Sequence, residues 1–558
     1  MKNLKWLQPK ALPFDIEAWE AQPFSERVRL LCQAWAIQGY GAPASAYLFY
    51  IFKMLLYVAI WFFFCSFSTD LGGWSAVGDW WWQSEALLKL VLWSMLFELL
   101  GFGCGSGPLT ARYFPPFGGC LYFARPGTIK LPLFPQLPLL GRDQRSWLEV
   151  LAYLLLLALL LRALLASEVS PELLWPTIIL LPLLALMDKT LFLAARGEHY
   201  WVALLCFCFI EESWSALKWA WLAIWWGAAS SKLNRHFPAV IGVMISNHPL
   251  ISWQWLKRKL YRKYPDDLRP SGFAAMLAHS GTVIEYTFPI LLLLGDGGAL
   301  TLIGLTTMFL FHLYITSSIP MGVPLEWNVI MVYGAFVLFG AHAQVALLDV
   351  QHPLLISVML LFLLIIPILG NCFPKYFSFL LSMRYYAGNW AYSVWLFKGN
   401  TEEKLDQNLI KTSPTILRQL SPFYEIPLAR LLIAKVIAFR SMHLHGRALQ
   451  LLLPKAIDDI EAYRWRDGEL VAGVALGWNF GDGHLHHEQL LAAIQKRCQY
   501  KSGELRCIFV ESQPIFRPHQ QWRIVDAKDG LLESGQISID ELEKWQPYPT
   551  SRNQAPIS

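Results

Sequence analysis

Seven ionisable side chains lie inside the apolar stretches of the sequence, and all fall toward the same end of their segments. They are Asp188, Lys189, His199, Lys232, His279, Glu285 and His312. An ionisable group in the hydrocarbon costs several kcal/mol unless it faces a partner or a polar cavity. We therefore predict a polar cavity that opens toward the cytoplasm. A desolvated lysine there has a lowered pKa and can act as a base, while neutral histidines can hold a substrate oxygen.

Each of these side chains also has a purely structural interpretation. Lys189 and Lys232 could extend their ammonium groups to the membrane interface. Asp188 could simply pair with Lys189, and a histidine within a span could be a hydrogen-bonded packing residue. A non-catalytic lipid- or quinone-binding protein, or a permease, would use the same cavity.

The composition indicates an integral membrane protein. Of the 558 residues, 55% are hydrophobic and only 16% are charged, and there are 26 Trp and 34 Phe. The formal charge of +5 is small for this length, so we expect no nucleic-acid partner. The expected partners are membrane lipids and a small lipophilic ligand, and the sequence leaves protein partners open.

Ten apolar runs are long enough to be candidate spans, since a helix needs about 20 residues to cross the hydrocarbon. They lie near 46–68, 85–102, 147–167, 173–194, 198–212, 214–230, 272–294, 298–317, 327–348 and 353–372. The most basic loop is 256–270, whereas the loops on the opposite side carry acidic residues and no Lys or Arg. Basic loops stay in the cytoplasm, so both termini are predicted to be cytoplasmic.

Four regions follow from this pattern. Residues 1–45 are predicted to be an interfacial amphipathic segment, 46–146 two spans with a Gly/Pro-rich interfacial loop, and 147–373 the membrane core. Residues 374–558 have ordinary polar composition and are expected to form a soluble cytoplasmic α+β domain. Strands are predicted at "LVAGVALGW", "LRCIFVES" and "QWRIVDA", with a hairpin turn at Asp529-Gly530.

The loop "GFGCGSGPLTARYFPPFGG" has glycine at every second position from Gly101 to Gly107. A dinucleotide fingerprint must follow a strand and open a helix, whereas this loop follows a membrane helix and runs into prolines. A re-entrant or interfacial loop fits better. Arg112 and Arg125 would then hold a lipid phosphate, or would simply be the basic residues that keep the loop in the cytoplasm.

A second group of candidate ligands lies in the C-terminal region, in "GDGHLHHEQ". Residues two apart share a face on a strand or extended loop, so His484 and His486 could bind a divalent metal together with Asp482. On a helix the two histidines would diverge. An exposed histidine-rich turn that gates the cavity or binds a partner is the alternative.

Four stretches around the ionisable residues resemble the membrane core of the vitamin K-dependent γ-carboxylases and their bacterial relatives, the horizontally transferred transmembrane (HTTM) family. In chain order they are "DKTLFLAARGEHYWVALLCFCF", "WWGAASSKLNRHFPAVIG", "AHSGTVIEYTFPILLL" and "FLFHLYITSSIPMGVP". The whole chain, including "LGWNFGDGHLHHEQ", also resembles a bacterial family of transmembrane proteins of unknown function.

The resemblance implies a polytopic α-helical protein of the bacterial inner membrane with a γ-carboxylase-like helical core. It implies an enzyme that acts on a lipophilic, lipid- or quinone-like substrate. Lys232 would be the base, and His199 and His312 would contact a quinone cofactor or the substrate. Glu198 stands where the family has Asn, and the family's large β-rich domain is missing, so carboxylation of protein glutamate is not implied.

Overall fold

A computed structural model of the chain describes residues 4–138, 140–318, 325–377, 387–480 and 483–549. Helices dominate the first two thirds of the chain, and a small sheet is confined to the last third. Because most of these helices are apolar, they pack into a bundle with many large hydrophobic side chains on its outer surface.

In the part of the chain that the structure describes, five helices are long and apolar enough to cross a membrane. They are Ala44–Cys65, Trp147–Leu165, Gly272–Leu294, Ala299–Ser317 and Pro353–Cys372. A sixth candidate consists of Gly197–Phe207 and Ile210–Ser231, which meet at an angle of 114°. The described part of the chain is therefore a helical transmembrane protein with five or six candidate spans.

The other runs predicted to be spans are helical but short. Ser84–Leu99 is buried on nearly all sides and carries charged residues, so it is an interior helix of the bundle. Pro171–Met187 ends where Asp188 becomes extended and caps the next short helix, Lys189–Ala194. Leu325–Ala341 is also shorter than a full span. Ten spans therefore remain a prediction from hydropathy.

Five connections between these helices meet at one end of the bundle. The Thr69 amide donates to the Ser167 carbonyl at 3.1 Å, and Trp82 accepts from His342 at 3.0 Å. The connection that holds His342 also contacts Glu212 and Asp296. All five connections lack Lys and Arg. They are residues 66–83, 166–170, 208–212, 295–298 and 342–352.

The opposite end of the bundle is covered by the N-terminal and C-terminal regions. Helix Phe24–Gln38 forms as its amphipathic pattern predicts. Its apolar face packs against helices Phe237–Asn247 and Ile426–Met442. Additional short helices here are Ile16–Glu20, Gly119–Phe123, Gln254–Lys259, Glu403–Asn408, Ile416–Leu420, Leu449–Ala456, Gly468–Leu476, Glu488–Cys498 and Ile539–Leu542.

Within the described residues, seven strands form two antiparallel sheets. The first pairs β1 (Tyr261–Lys263) with β2 (Asp267–Pro270). The second has the order β4-β3-β5-β6-β7. Its strands are β3 (Tyr392–Lys398), β4 (Tyr463–Asp467), β5 (Leu505–Val510), β6 (His519–Asp526) and β7 (Gly530–Ser538).

Two predicted strands and the predicted hairpin are confirmed, and one predicted strand is wrong. Strands β5 and β6 form at "LRCIFVES" and "QWRIVDA", and Asp526 pairs with Gly530 across the hairpin turn. The stretch "LVAGVALGW" instead lies in helix Gly468–Leu476, which Asp467 caps through the Glu469 amide at 2.8 Å. A short run of apolar residues lacks the periodicity that distinguishes a helix from a strand. Here the capping residue Asp467 favours the helix.

The C-terminal region packs directly on the membrane helices and their loops. Tyr122 of the interfacial loop donates to the Val474 carbonyl at 2.6 Å. Trp478 lies against Gly105, and one continuous apolar core runs from span Ala44–Cys65 to strands β3 and β5. The α+β region is thus joined to the bundle by a shared core.

Candidate functional site

Lys232 and Glu285 form a buried ion pair, as their predicted depth suggests. Lys232 follows helix Ser213–Ser231, and Glu285 lies midway along span Gly272–Leu294. The ammonium group also lies 5.7 Å and 5.6 Å from the ring centres of Phe237 and Phe311. The aromatic rings and the carboxylate together compensate the buried charge.

His312 lies on the adjacent span with both ring nitrogens hydrogen-bonded. Trp225 Nε1 donates to His312 Nε2 at 3.1 Å, so Nδ1 carries the proton and donates to Asn328 Oδ1 at 2.8 Å. These two bonds fix a neutral imidazole with a defined tautomer. His312 is therefore a neutral histidine, as predicted for a residue that holds a substrate oxygen, although both of its ring nitrogens are already hydrogen-bonded.

His199 lies elsewhere in the bundle. Its ring contacts the Trp327 ring at 4.2 Å, and neither ring nitrogen has a hydrogen-bond partner in the described part of the chain. The adjoining gap measures about 10 Å³, which is about the room for one water molecule. This conformation therefore has no room for a quinone ring beside His199.

The other predicted substrate residues do not join Lys232. Asp188 pairs with Arg145 and caps its helix through the Thr190 amide at 3.1 Å. Lys189 is half-buried beside it, and His279 is exposed on the first turns of its span. Lys232, Glu285 and His312 are thus the predicted residues that the structure places around one position.

The two predicted phosphate ligands are also separated. Arg112 is buried and donates to Ser413 Oγ at 2.8 Å and to the Gly473 carbonyl, which anchors the loop to the C-terminal region. Arg125 is exposed and donates to the Lys411 carbonyl at 2.9 Å.

A larger cluster of buried charges was not predicted from the sequence. Glu98 Oε1 lies 3.3 Å from Arg196 Nε, and Glu326 Oε2 lies 3.6 Å from Lys53 Nζ. Cys104 sits between them, since its Sγ lies 3.3 Å from Glu326 Oε1 and 3.1 Å from Arg196 Nη2. The formal charges of the two basic and two acidic side chains in this cluster cancel. The sequence feature that could have indicated this cluster is a single charged residue within an otherwise apolar run, as in "FKMLL" and "FELLG".

The alternating glycines allow the loop to enter this cluster. A Cβ atom on Gly103 would lie 2.1 Å from a carboxylate oxygen of Glu98, and one on Gly105 would lie 2.9 Å from the Trp478 ring. The Cys104 amide can therefore donate to Glu98 Oε2 at 2.8 Å. The glycine spacing thus reflects close backbone approach inside the protein.

Two neighbouring cavities lie beside the glycine loop. The outer cavity has a volume of about 400 Å³ and an apolar lining. It is bounded by the start of span Ala44–Cys65 and by residues of the N-terminal and C-terminal regions, including Leu7, Leu48, Phe49, Phe52 and Tyr424. Four residues line both the outer cavity and the inner cavity: Tyr40, Pro108, Tyr113 and Leu432.

The inner cavity, of about 140 Å³, has a polar wall. Arg440, Asp467 and Glu469 form an ion-paired group there, with Arg440 Nη2 lying 2.6 Å from Asp467 and 3.5 Å from Glu469. Asn247 is buried, and its Nδ2 has no hydrogen-bond partner in the described residues. Burial raises the pKa of the Tyr40 phenol, so this hydroxyl remains a neutral donor.

The predicted metal ligands separate in the C-terminal region. Asp482 lies outside the described residues. His484 and His486 lie on a 3₁₀ turn, where His486 Nδ1 is 2.8 Å from Ser393 Oγ and His484 Nε2 is 2.8 Å from Glu511 Oε2. His487 of the same stretch and Glu511, which was not predicted, complete a group with His484 whose ligand atoms lie within 4.8 Å of one another.

We expect the buried charge cluster to be essential for stability. Arg196→Met leaves two buried carboxylates opposite one lysine and should cost about 3–5 kcal/mol. The matched change Lys455→Met, in a partly exposed pair with Glu533, should cost less than about 1 kcal/mol. Thermal melting of the detergent-purified variants compares them, and equal losses would contradict the role of the cluster.

Comparison with known proteins gives one match. No curated protein and no solved structure is detectably similar to the chain. The family described as "Transmembrane protein of unknown function (DUF3556)" matches residues 4–558. The chain therefore belongs to this family of transmembrane proteins of unknown function.

Proposed function

We propose that the protein binds an amphiphilic ligand from the membrane across its two neighbouring cavities. The supporting observation is that an apolar outer cavity adjoins an inner cavity with a polar wall, and that four residues line both. Ligand sites of this kind combine an apolar lining with a few polar groups that fix orientation. The acyl or isoprenoid part would occupy the outer cavity, and the head group would occupy the inner cavity.

The outer cavity borders the surface that a membrane would cover. Leu48 and Phe52 line it, and they are 59% and 63% exposed on the apolar span Ala44–Cys65. Their exposed side chains would face lipid tails. A lipophilic molecule could then enter the cavity laterally without crossing water.

The polar wall favours an uncharged head group over an anionic one. Arg440 is already paired with two carboxylates, those of Asp467 and Glu469. A phosphate would have to compete with both, whereas hydroxyl and carbonyl groups match the Asn247 amide and the Tyr40 and Tyr113 hydroxyls. We therefore expect a neutral amphiphile carrying hydroxyl or carbonyl groups, a class that includes quinones.

Filling the outer cavity tests this proposal. Ala46→Trp places an indole in the outer cavity, so the amount of neutral lipid that co-purifies and is detected by mass spectrometry should fall by about tenfold, a loss of about 1.4 kcal/mol. Leu55→Trp is the control, because Leu55 lies on the same span but is 66% exposed away from the cavity. Equal lipid retention by both variants would contradict the proposal.

Lysine-base chemistry on a lipophilic substrate is a second candidate function. It is favoured by the contact between Lys232 and Glu285 and by the neutral His312 on the adjacent span. In this reaction the Lys232 ammonium would first pass a proton to Glu285, and the neutral amine would then remove the substrate proton. His312 would orient the substrate after exchanging one of its present hydrogen bonds.

A charge-neutral double variant tests the second candidate without leaving a buried charge. Lys232→Met combined with Glu285→Leu removes both members of the pair, so the fold should persist while the base is lost. If the protein is this enzyme, the lipid profile of cells carrying the variant should lose a product. An unchanged profile, with amphiphile still bound, would exclude the reaction and leave binding. A permease would instead show flux in proteoliposomes.

The distribution of basic residues supports a cytoplasmic location for both terminal regions in an inner membrane. The five connections at the opposite end carry only acidic charges, at Asp70, Asp79, Glu168, Glu211, Glu212, Asp296 and Asp349. The terminal end carries the basic segment 256–263. Positive charges near the ends of spans are retained in the cytoplasm.

Cysteine labelling in intact cells checks this orientation. Glu168→Cys should react with a membrane-impermeant maleimide, and Lys501→Cys should react only after permeabilisation, since both positions are exposed at opposite ends. The nine native cysteines are buried or half-buried, which keeps the background low. The reverse labelling pattern would contradict the orientation.

A further inference from the structure

We propose that His484, His487 and Glu511 bind a divalent transition-metal ion, and that Zn²⁺ is the best match. His484 lies on the turn Gly483–His486, and His487 precedes helix Glu488–Cys498. Glu511 follows strand β5, and its amide donates to the Gln521 carbonyl at 2.9 Å. The turn and the sheet thus hold the three ligands, and none of the three lines either amphiphile cavity.

The hydrogen bonding of His487 carries this inference. His487 Nε2 lies 3.3 Å from the Tyr392 carbonyl oxygen, which can only accept, so Nε2 must carry a proton. In a neutral ring Nδ1 then presents a lone pair. That nitrogen is buried, has no hydrogen-bond partner among the residues described, and faces Glu511 Oε1 at 3.8 Å and Glu488 Oε2 at 4.0 Å.

A lone pair that faces carboxylates is repulsive unless a cation lies between them. A bound metal would supply that charge and would accept electron pairs from both the nitrogen and the oxygen. A second proton on His487 is the alternative source of positive charge. The two explanations differ in whether metal is bound.

The spacing of the ligand atoms fits a tetrahedral ion. Two ligands at about 2.1 Å from a tetrahedral Zn²⁺ lie about 3.4 Å apart. Glu511 Oε2 is 2.8 Å from His484 Nε2, and Glu511 Oε1 is 3.8 Å from His487 Nδ1, so small side-chain movements suffice.

The surrounding residues orient the ligands and leave one position open. Arg523 Nη2 donates to Glu511 Oε1 at 2.7 Å, which leaves Oε2 directed toward His484. Such neighbouring contacts fix the orientation of metal-binding carboxylates and imidazoles. The His484 side chain is 17% exposed and that of Glu488 is 45% exposed, so water or Glu488 can supply the fourth ligand from the solvent side.

His486 does not belong to the proposed site. It is directed toward Ser393, because residues two apart on the 3₁₀ turn point in different directions. The two histidine ligands are instead three residues apart, with His484 on the turn and His487 directly after it.

Metal analysis of the full-length protein tests the proposal. Protein purified through a non-histidine tag is stripped with EDTA, incubated with ZnCl₂ and desalted, and its zinc content is measured by inductively coupled plasma mass spectrometry. We expect about one Zn²⁺ per chain. His487→Ala and Glu511→Gln should each lose most of it, and His519→Ala, an exposed histidine on strand β6, should retain it.

The wild-type protein alone provides a second measurement if a variant fails to fold. Co²⁺ added to the stripped protein should give the visible absorption of a tetrahedral site, and Zn²⁺ should displace it. Absence of stoichiometric zinc in the wild type would overturn the proposal, as would zinc retention in both folded ligand variants. Lipid retention, measured on the same samples, reports on the amphiphile proposal separately.

Discussion

The structure depends on the compensation of charges that are buried at the first turn of helix Leu325–Ala341. Glu326 is fully buried there beside Lys53 and Cys104. Removing two charged groups from water costs several kcal/mol each, and only partners with good geometry offset that cost. The helices that supply those partners are therefore fixed relative to one another.

Three successive residues on that turn each contact a different buried polar group of the bundle. Glu326 faces the charge cluster, Trp327 packs on His199, and Asn328 accepts from His312. Successive positions on a helix point about 100° apart, so one turn can contact three different neighbours. A shift of this helix would disturb all three contacts at once.

The charge cluster also joins the bundle to the inner cavity. The Arg196 guanidinium lies 4.9 Å from the ring centre of Phe480, and Phe480 lines the inner cavity. Arg196 has a left-handed backbone with φ of 54°, an arrangement that costs about 1 kcal/mol or more for a residue with a Cβ. Its contacts with Glu98, Cys104 and Phe480 offset that cost.

Sequence reasoning predicted what depends on local pattern. Hydropathy located the helices, and the depth of the charged residues predicted one shared cavity for seven of them, of which Lys232, Glu285 and His312 lie together. It could not predict the partners of Glu98, because a lone acid in an apolar helix carries no information about which distant residue compensates it. Likewise the choice between His486 and His487 depends on whether the segment is extended or a 3₁₀ turn, and spacing alone does not decide that.

Strand β3 links the two proposed ligand sites. The Tyr392 carbonyl oxygen accepts from His487, while the Tyr392 ring lies 5.5 Å from the Arg440 guanidinium of the inner cavity. The Tyr392 hydroxyl in turn donates to the His445 carbonyl at 2.7 Å. An ion bound at His487 would hold the Tyr392 backbone in place, and through its ring the position of Arg440. The strand that supports the metal site thus also contacts Arg440, which forms part of the polar wall of the inner cavity.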